Sequence, residues 1–395
     1  MKRIYTTLLL AAITLFACQT VSAYDFEVGG IYYNLNTSDM TATVTFGDEK
    51  YAGDVVIPSS VTYNTKTLKV TKIGGYAFFY CTSLTSITIP NSVTTIGGHA
   101  FEDCTSLSSV TIPNSVTTIG EWAFLRCTSL SSVTIPNSVT TIGYGSFKGC
   151  TSLSSITIPN SVTKIGSKAF SGCTSLSTVA LSENLTEIAQ GTFQGCSQLT
   201  SVSIPAHIID IESSSFFKCE NLEKLIFEDS DQPLKIYGEK YGKEASCLYP
   251  TYLYLGRNVE FENEYNFIFS YNIKTLVIGS TYMSSQYPTS TKTKTIISRI
   301  EKPNRISHFP GSVYVNATLY VPKGTKALYE STDGWKQFFT IQEGDPMTGI
   351  VSTKDDVDKV EVSRYDVKGQ RLNAPRKGIN IVRYSDGTTE KIVVR

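Results

Sequence analysis

Apolar positions recur at fixed offsets through the middle of this chain, once every 23 residues. In one unit Cys104 is followed by Leu107, Val110, Ile112, Val116, Ile119, Ala123 and Phe124, with Ser, Thr, Pro, Asn or Gly at most places between. Leu107, Val110 and Ile112 end in a two-residue alternation, which predicts a short strand over Ser109–Ile112 with Val110 and Ile112 inward. Pro113 lacks an N–H and stops the ladder, and Pro113-Asn114-Ser115 reads as a turn. Val116 to Ile119 predicts a second extended segment. Gly120 permits a corner, and Ala123-Phe124 fills the remaining side. The same spacing carries Cys81, Cys104, Cys127, Cys150, Cys173, Cys196 and Cys219.

Such a unit has no closed core of its own. Stacked coils, about 4.8 Å apart like neighbouring strands, bury its apolar residues in columns, and each large side chain so buried contributes about 1.5–3 kcal/mol. The expected fold is therefore mainly β, a repeat solenoid stabilised by neighbour interfaces. The pattern Leu-x-x-Val-x-Ile-Pro followed by Val-x-x-Ile-Gly-x-x-Ala-Phe-x-x-Cys closely resembles the BspA-like leucine-rich-repeat family of bacterial surface proteins. The match runs cleanly from Ile73 to Phe227. The resemblance implies a leucine-rich-repeat solenoid on the cell surface with an adhesin-like role; it does not imply a ligand, because repeat scaffolds serve many roles.

The cysteine column has competing readings. Zinc is disfavoured because no Cys-x-x-Cys occurs. Disulfides are disfavoured because in-register neighbours sit one strand spacing apart, wider than the ~3.8 Å Cβ separation that a disulfide prefers, and because seven is odd. The preferred reading is a ladder of buried structural thiols. Cys247 lies outside the ladder and stays unassigned.

The flanks lose the period. Residues 1–23 read as an export signal: Lys2 and Arg3 precede an apolar Ile4–Ala17, too short to span a membrane. Val21-Ser22-Ala23 is the preferred cleavage site, leaving Tyr24 first. Leu15-Phe16-Ala17-Cys18 is the competing reading, a lipobox with a lipid anchor at Cys18. Residues 24–70 carry three strand patterns and a widened unit, and are expected to form a β cap over the first coil of the solenoid, which spans 71–228. Residues 229–345 read as degenerate repeats and a far cap, with strands at 253–255, 275–278 and 318–321, closed by Trp335–Phe339. A polar linker follows at 346–359. Residues 360–395 read as a small β domain with a turn at Lys368-Gly369 and a hairpin at Ser385-Asp386-Gly387. This tail resembles the C-terminal sorting domains of the type IX secretion pathway.

Composition narrows function. Lys plus Arg and Asp plus Glu are each 35, so no basic footprint for nucleic acid exists. There is no second long apolar run, so no membrane span is expected after the signal. The three histidines, His99, His207 and His308, are scattered, and no phosphate loop, dinucleotide fingerprint, Gly-x-Ser-x-Gly or His-Glu-x-x-His occurs. The repeats supply hydroxyls without a base to activate them. A non-enzymatic protein is expected, with no cofactor and no metal.

What remains is binding. Comparison among units shows four variable positions, two after Ile-Gly and two after Phe. In the first coils these hold Tyr76, Phe79, Tyr80, His99, Trp122, Leu125 and Tyr144; later they become Ser167, Lys168, Ser171, Gln190 and Gln194. Aligned in columns, the aromatics are expected to make one ridge and a ligand site. Relaxed drift in an unconstrained corner competes with that reading. A second surface is the hydroxyl array of Ser86/Thr88, Ser109/Thr111, Ser132/Thr134 and Ser155/Thr157. Expected partners are a protein of the host or a neighbouring cell, or a surface glycan; a passive spacer is the third class.

Overall fold

The computed structural model describes residues 24–238, 250–262, 272–283, 287–307 and 309–347, together with four strands of the tail. Residues 1–23 with Cys18, and Cys247, His308, most of the expected linker and the two turns expected in the tail, lie outside the described residues. The chain divides into two units, Met1–Gln342 and Glu343–Arg395.

The first unit is a mainly β solenoid of about 11 turns of roughly 23 residues. A regular coil has a longer strand such as Ser109–Thr111, a two-residue strand such as Thr118–Ile119, and a turn-rich corner. The second extended segment is thus shorter than the Val116–Ile119 expected. Strands pair in parallel with the equivalent residues one coil away, Ser109 with Ser132 and Ile119 with Ile142, with breaks in the longer-strand ladder between Thr134 and Ser155 and between Ala180 and Ser201. This register puts like on like, so Leu107, Val110, Ile112, Val116, Ile119 and Phe124 all lie in buried columns. The rings of Phe78, Phe101, Phe124, Phe147, Phe170, Phe193 and Phe216 stack face to face, with centroids 4.9 to 5.7 Å apart.

The glycine of Ile-Gly is required by proximity. A Cβ on Gly97, Gly120, Gly143 or Gly166 would lie 2.5–2.6 Å from backbone atoms of the coil before it, closer than non-bonded atoms approach. At the equivalent places further on stand Ala189 and Glu212, and the short-strand ladder stops at Lys164–Ile165 and restarts at Glu187–Ile188. The added Cβ of Ala189 coincides with the lost pairing, whereas Glu187–Ile188 and Asp210–Ile211 pair although Glu212 follows.

The thiol column is buried throughout, and all seven cysteines are free. Each thiol from Cys104 onward donates to the carbonyl of the Phe 26 residues earlier, as Cys127 Sγ does to Phe101 O at 3.0 Å. Burial pushes these thiols up, to about 12 at Cys219 and higher inside the column.

The N-terminal cap is an antiparallel run of Phe26–Val28, Ile31–Asn36 and Thr41–Thr45. Thr41–Thr45 then pairs in parallel with Lys66–Ile73, which begins the short-strand ladder. The expected widening of the first unit is the hairpin of Ser60–Tyr63 and Lys66–Ile73, turning through Asn64 and Thr65 at positive φ.

Beyond Phe227 the coils lengthen but the ladder continues. Ser201–Ile204, Lys224–Phe227, Tyr252–Leu255, Thr275–Ile278, Thr295–Ser298, Thr318–Val321 and Thr340–Glu343 form one seven-stranded sheet. Thr295–Ser298, Leu234–Tyr237 and Val259–Glu262 were not anticipated from the sequence. Inside these coils Arg257 is fully buried. Its guanidinium donates to the carbonyls of Ala206 at 2.7 Å, Ile208 at 2.6 Å and Pro205 at 2.8 Å. Burial lowers its pKa to about 10, partly offset by Glu228. Two short helices, Gly311–Asn316 and Lys326–Ser331, and the buried Trp335 complete this end.

The second unit holds a four-stranded antiparallel sheet in the order Arg371–Leu372, Glu361–Asp366, Gly378–Tyr384 and Thr389–Val394.

Candidate functional site

The variable corner is a chain of tight turns with two left-handed residues per coil. One column holds Tyr76, His99, Trp122, Gly145, Lys168, Gly191 and Ser214; the other holds Tyr80, Asp103, Arg126, Gly149, Gly172, Gly195 and Lys218. All have φ between 55 and 75°. Glycine adopts this conformation freely, whereas other residues incur about 1–2 kcal/mol each. Glycine occupies five of these places from Gly145 onward but none of the six in the first three coils. Those coils therefore hold strain that the fold itself does not require, since glycine fits the same turn further along. Strain retained without folding need is a mark of functional position.

The large side chains so placed touch in series. Tyr80 meets Phe79 edge to face at 4.9 Å, and Phe79 meets Tyr76 at 5.5 Å. Tyr76 stacks on His99 at 4.6 Å with 6° between the planes, His99 lies 6.3 Å from Trp122, and Trp122 meets Tyr144 edge to face at 4.6 Å. The structure thus brings together all six residues that the sequence singled out for this site. Tyr76 and Tyr80 are the most open, at 46% and 51% exposure. Trp122 is half-buried because its ring lies across Gly145, where a Cβ would meet it at 2.4 Å. Two cations sit on ring faces, Lys50 over Phe79 at 5.7 Å and Lys148 over Trp122 at 5.4 Å. Leu125 departs from the expectation. It turns inward and is buried in a run with Ala123 and Phe124, between Trp122 and the exposed Arg126.

A polar network beneath the rings was missed from the sequence. Arg126 reaches back one coil to Asp103 through Nε at 2.6 Å and to Glu102 at 3.0 Å. Glu102 also meets His99 Nδ1 at 2.5 Å. Asp103 and Glu102 are buried, whereas Arg126 is half-exposed. The Asp103 hydrogen bond, more than the charges around it, raises the pKa of Arg126. The 23-residue offset from Asp103 to Arg126 was the available signal, because that offset makes residues neighbours in adjacent coils.

The family comparison agrees with the repeat fold. The BspA type leucine rich repeat region matches residues 58–150 and 123–237, in six copies. The chain belongs to the BspA-type leucine-rich-repeat family. Among solved structures, a leucine-rich-repeat protein from Bacteroides ovatus is similar at 24% identity and a TM-score of 0.53, over 81% of this chain and 90% of that one. A leucine-rich cell surface protein from Faecalibacterium prausnitzii is similar at 24% identity and a TM-score of 0.49, over 81% and 94%. A leucine-rich-repeat protein of T. pallidum is similar at 32% identity and a TM-score of 0.44, over 50% and 90%. No curated protein matched.

Elsewhere on this BspA-type solenoid, the hydroxyl array is laid out as the register requires. Ser109, Thr111, Ser132, Thr134, Ser155 and Thr157 are exposed, while Val110, Val133 and Ile156 between them are buried. At the first coil the array is interrupted. Asp54 of the cap accepts bonds from Thr85 at 2.8 Å and Ser86 at 2.6 Å, which hold its carboxyl below the usual range. Among the described residues no helix is long and apolar enough to cross a membrane.

Proposed function

We propose that this chain is an exported, non-enzymatic protein of the cell surface that attaches to a host or neighbouring-cell partner through the aromatic corner of its first coils. The observation that carries this reading is the unbroken ring series from Tyr80 to Tyr144, held by left-handed residues where glycine fits. Tyr and Trp bury large area while losing few rotatable bonds, which suits anchors of recognition. The hydroxyl face is the weaker candidate, since it repeats the same groups in each coil and so offers avidity with little selectivity. Catalysis is disfavoured because the ladder thiols are buried and held protonated, which leaves them poor nucleophiles. Export rests on the pattern of residues 1–23.

The test is attachment of the purified chain from Tyr24 to host cells and to neighbouring bacteria. Trp122→Ala with Tyr144→Ala is expected to weaken attachment about thirtyfold, the effect of losing one anchor of ~2 kcal/mol, at unchanged melting temperature. Loss with Thr111→Lys and Thr134→Lys, but not with the aromatic pair, would place recognition on the hydroxyl face.

A further inference from the structure

The ligand chemistry at this corner is also legible, on the reading that the corner is the recognition site. Backbone amides there are already used. In the coil of Trp122, the amides of Trp122, Phe124 and Arg126 donate to Tyr144, Ser146 and Lys148 of the next coil, and those of Ala123, Leu125 and Cys127 close turns within their own. The coil of Tyr76 repeats the pattern from Tyr76 to Cys81. A peptide that adds as a strand needs free main-chain donors as well as acceptors, and no amide from Tyr76 to Cys81 or from Trp122 to Cys127 is free to pair with it. Recognition must come from side chains.

Those side chains are of two kinds. Tyr76 and Tyr80, four residues apart on one coil, offer the most open ring surface. In the series Tyr76, His99 and Trp122 the rings cover one another, so the outward face belongs to the first. Beside them Glu102, Asp103 and His99 are fixed by Arg126 and by each other. This fringe carries both signs and is internally paired. Glu102 and Asp103 are buried, so Arg126 and His99 are its outward groups, and Arg126, its charge met from below, offers oriented donors, which suits a ligand rich in hydroxyls and poor in charge. Ring faces beside such a fringe match the two surfaces of a pyranose, its C–H face and its hydroxyl rim.

We propose that Tyr76 and Tyr80, with the Arg126–His99 fringe held from below by Glu102 and Asp103, form a binding site for an uncharged oligosaccharide. The left-handed backbone presets the rings, so little side-chain entropy is lost on binding.

The experiment titrates the purified chain from Tyr24 with immobilised neutral, sialylated, uronate-bearing and sulfated oligosaccharides. Trp122 emission serves as a second readout, because the other tryptophan, Trp335, is fully buried. Neutral glycans are expected to bind, to shift the emission, and to hold their affinity within about twofold between 50 and 500 mM salt, since only charge-driven binding is screened. Tyr76→Gly and Tyr80→Gly are each expected to weaken binding tenfold or more. They leave the fold intact, because Gly145 and Gly149 occupy the same turn positions. Binding of anionic glycans alone with steep salt dependence would overturn the proposal. So would an absence of glycan binding. If attachment to cells nevertheless depends on Tyr76 and Tyr80, the corner remains the site and its ligand is a protein; if it does not, the functional reading fails as well.

Discussion

The coils up to Ile165 and the coils after Ile188 solve the same packing problem in different ways. The earlier ones are near-identical, so their backbones close to the distance at which only glycine fits between them. The later ones carry Ala189 and Glu212 at that place, interrupt the short-strand ladder, and vary in length. Their turns are held by particular side chains. Arg257 does in one residue what repetition does elsewhere, gathering the carbonyls of one turn on a single buried guanidinium. Regularity lets main chain hold main chain, and where it fails a buried polar side chain must serve. The corner keeps its own main-chain ladder through both regions, from Phe124 N to Ser146 O and on to Phe193 N to Ser215 O, so its outward side chains are not needed to hold the coils together.

The sharpest break in this comparison is expected at Arg257. Arg257→Leu leaves several buried carbonyls without a donor and is expected to cost about 3–5 kcal/mol, seen as a large drop in the denaturant midpoint. A loss below about 1 kcal/mol would show that water replaces the guanidinium and that the late coils need no staple. Next in size is glycine at the coil contact. Gly143→Ala is expected to cost about 1–3 kcal/mol by overpacking, whereas Ala189→Gly should cost no more than about 1 kcal/mol, the backbone-entropy term. Equal losses would break the link between the Cβ and the interrupted ladder.

The thiol column runs through both regions. Its folded pKa values lie above the ordinary cysteine value of 9, at about 12 for Cys219. The unfolded chain therefore ionises first as pH rises. The contribution of the thiols is complete below about pH 9 and is lost between there and about pH 12. Unfolding midpoints measured from pH 7 to 10.5 should fall only above pH 9. Thiol titration should find the interior cysteines unreactive until the chain unfolds; rapid native labelling at Cys150 would contradict their burial. Smallest is the strained corner. Tyr80→Gly removes a left-handed tyrosine and some ring contact, and is expected to change stability by no more than about +1 kcal/mol. A clear loss would mean that the corner rings support the fold.

Much of this was legible in the sequence. The 23-residue period, the inward set Leu107, Val110, Ile112, Val116, Ile119 and Phe124, and the alternation that exposes Ser132 and buries Val133 all follow from pattern. A period states which residues become neighbours, and so it also located the aromatic column from Tyr76 to Tyr144. Leu125 was misplaced because a turn residue has no periodicity to reveal its facing. The strands Leu234–Tyr237 and Thr295–Ser298 were hidden because irregular coil lengths erase the period that announces a strand.

The sequence by itself thus determined the repeat, its register and its core, because identical units stacked at one spacing admit a single arrangement. Tertiary structure alone decided the rest. It showed that the first coils keep Tyr, His and Trp in a left-handed turn that glycine fills further along. It showed that Asp103 and Glu102 lie buried under Arg126, and that Arg257 is a core residue. Each depends on which atoms of adjacent coils come within hydrogen-bonding or van der Waals reach. Spacing along the chain names the neighbours, but only folded geometry sets their distances and angles.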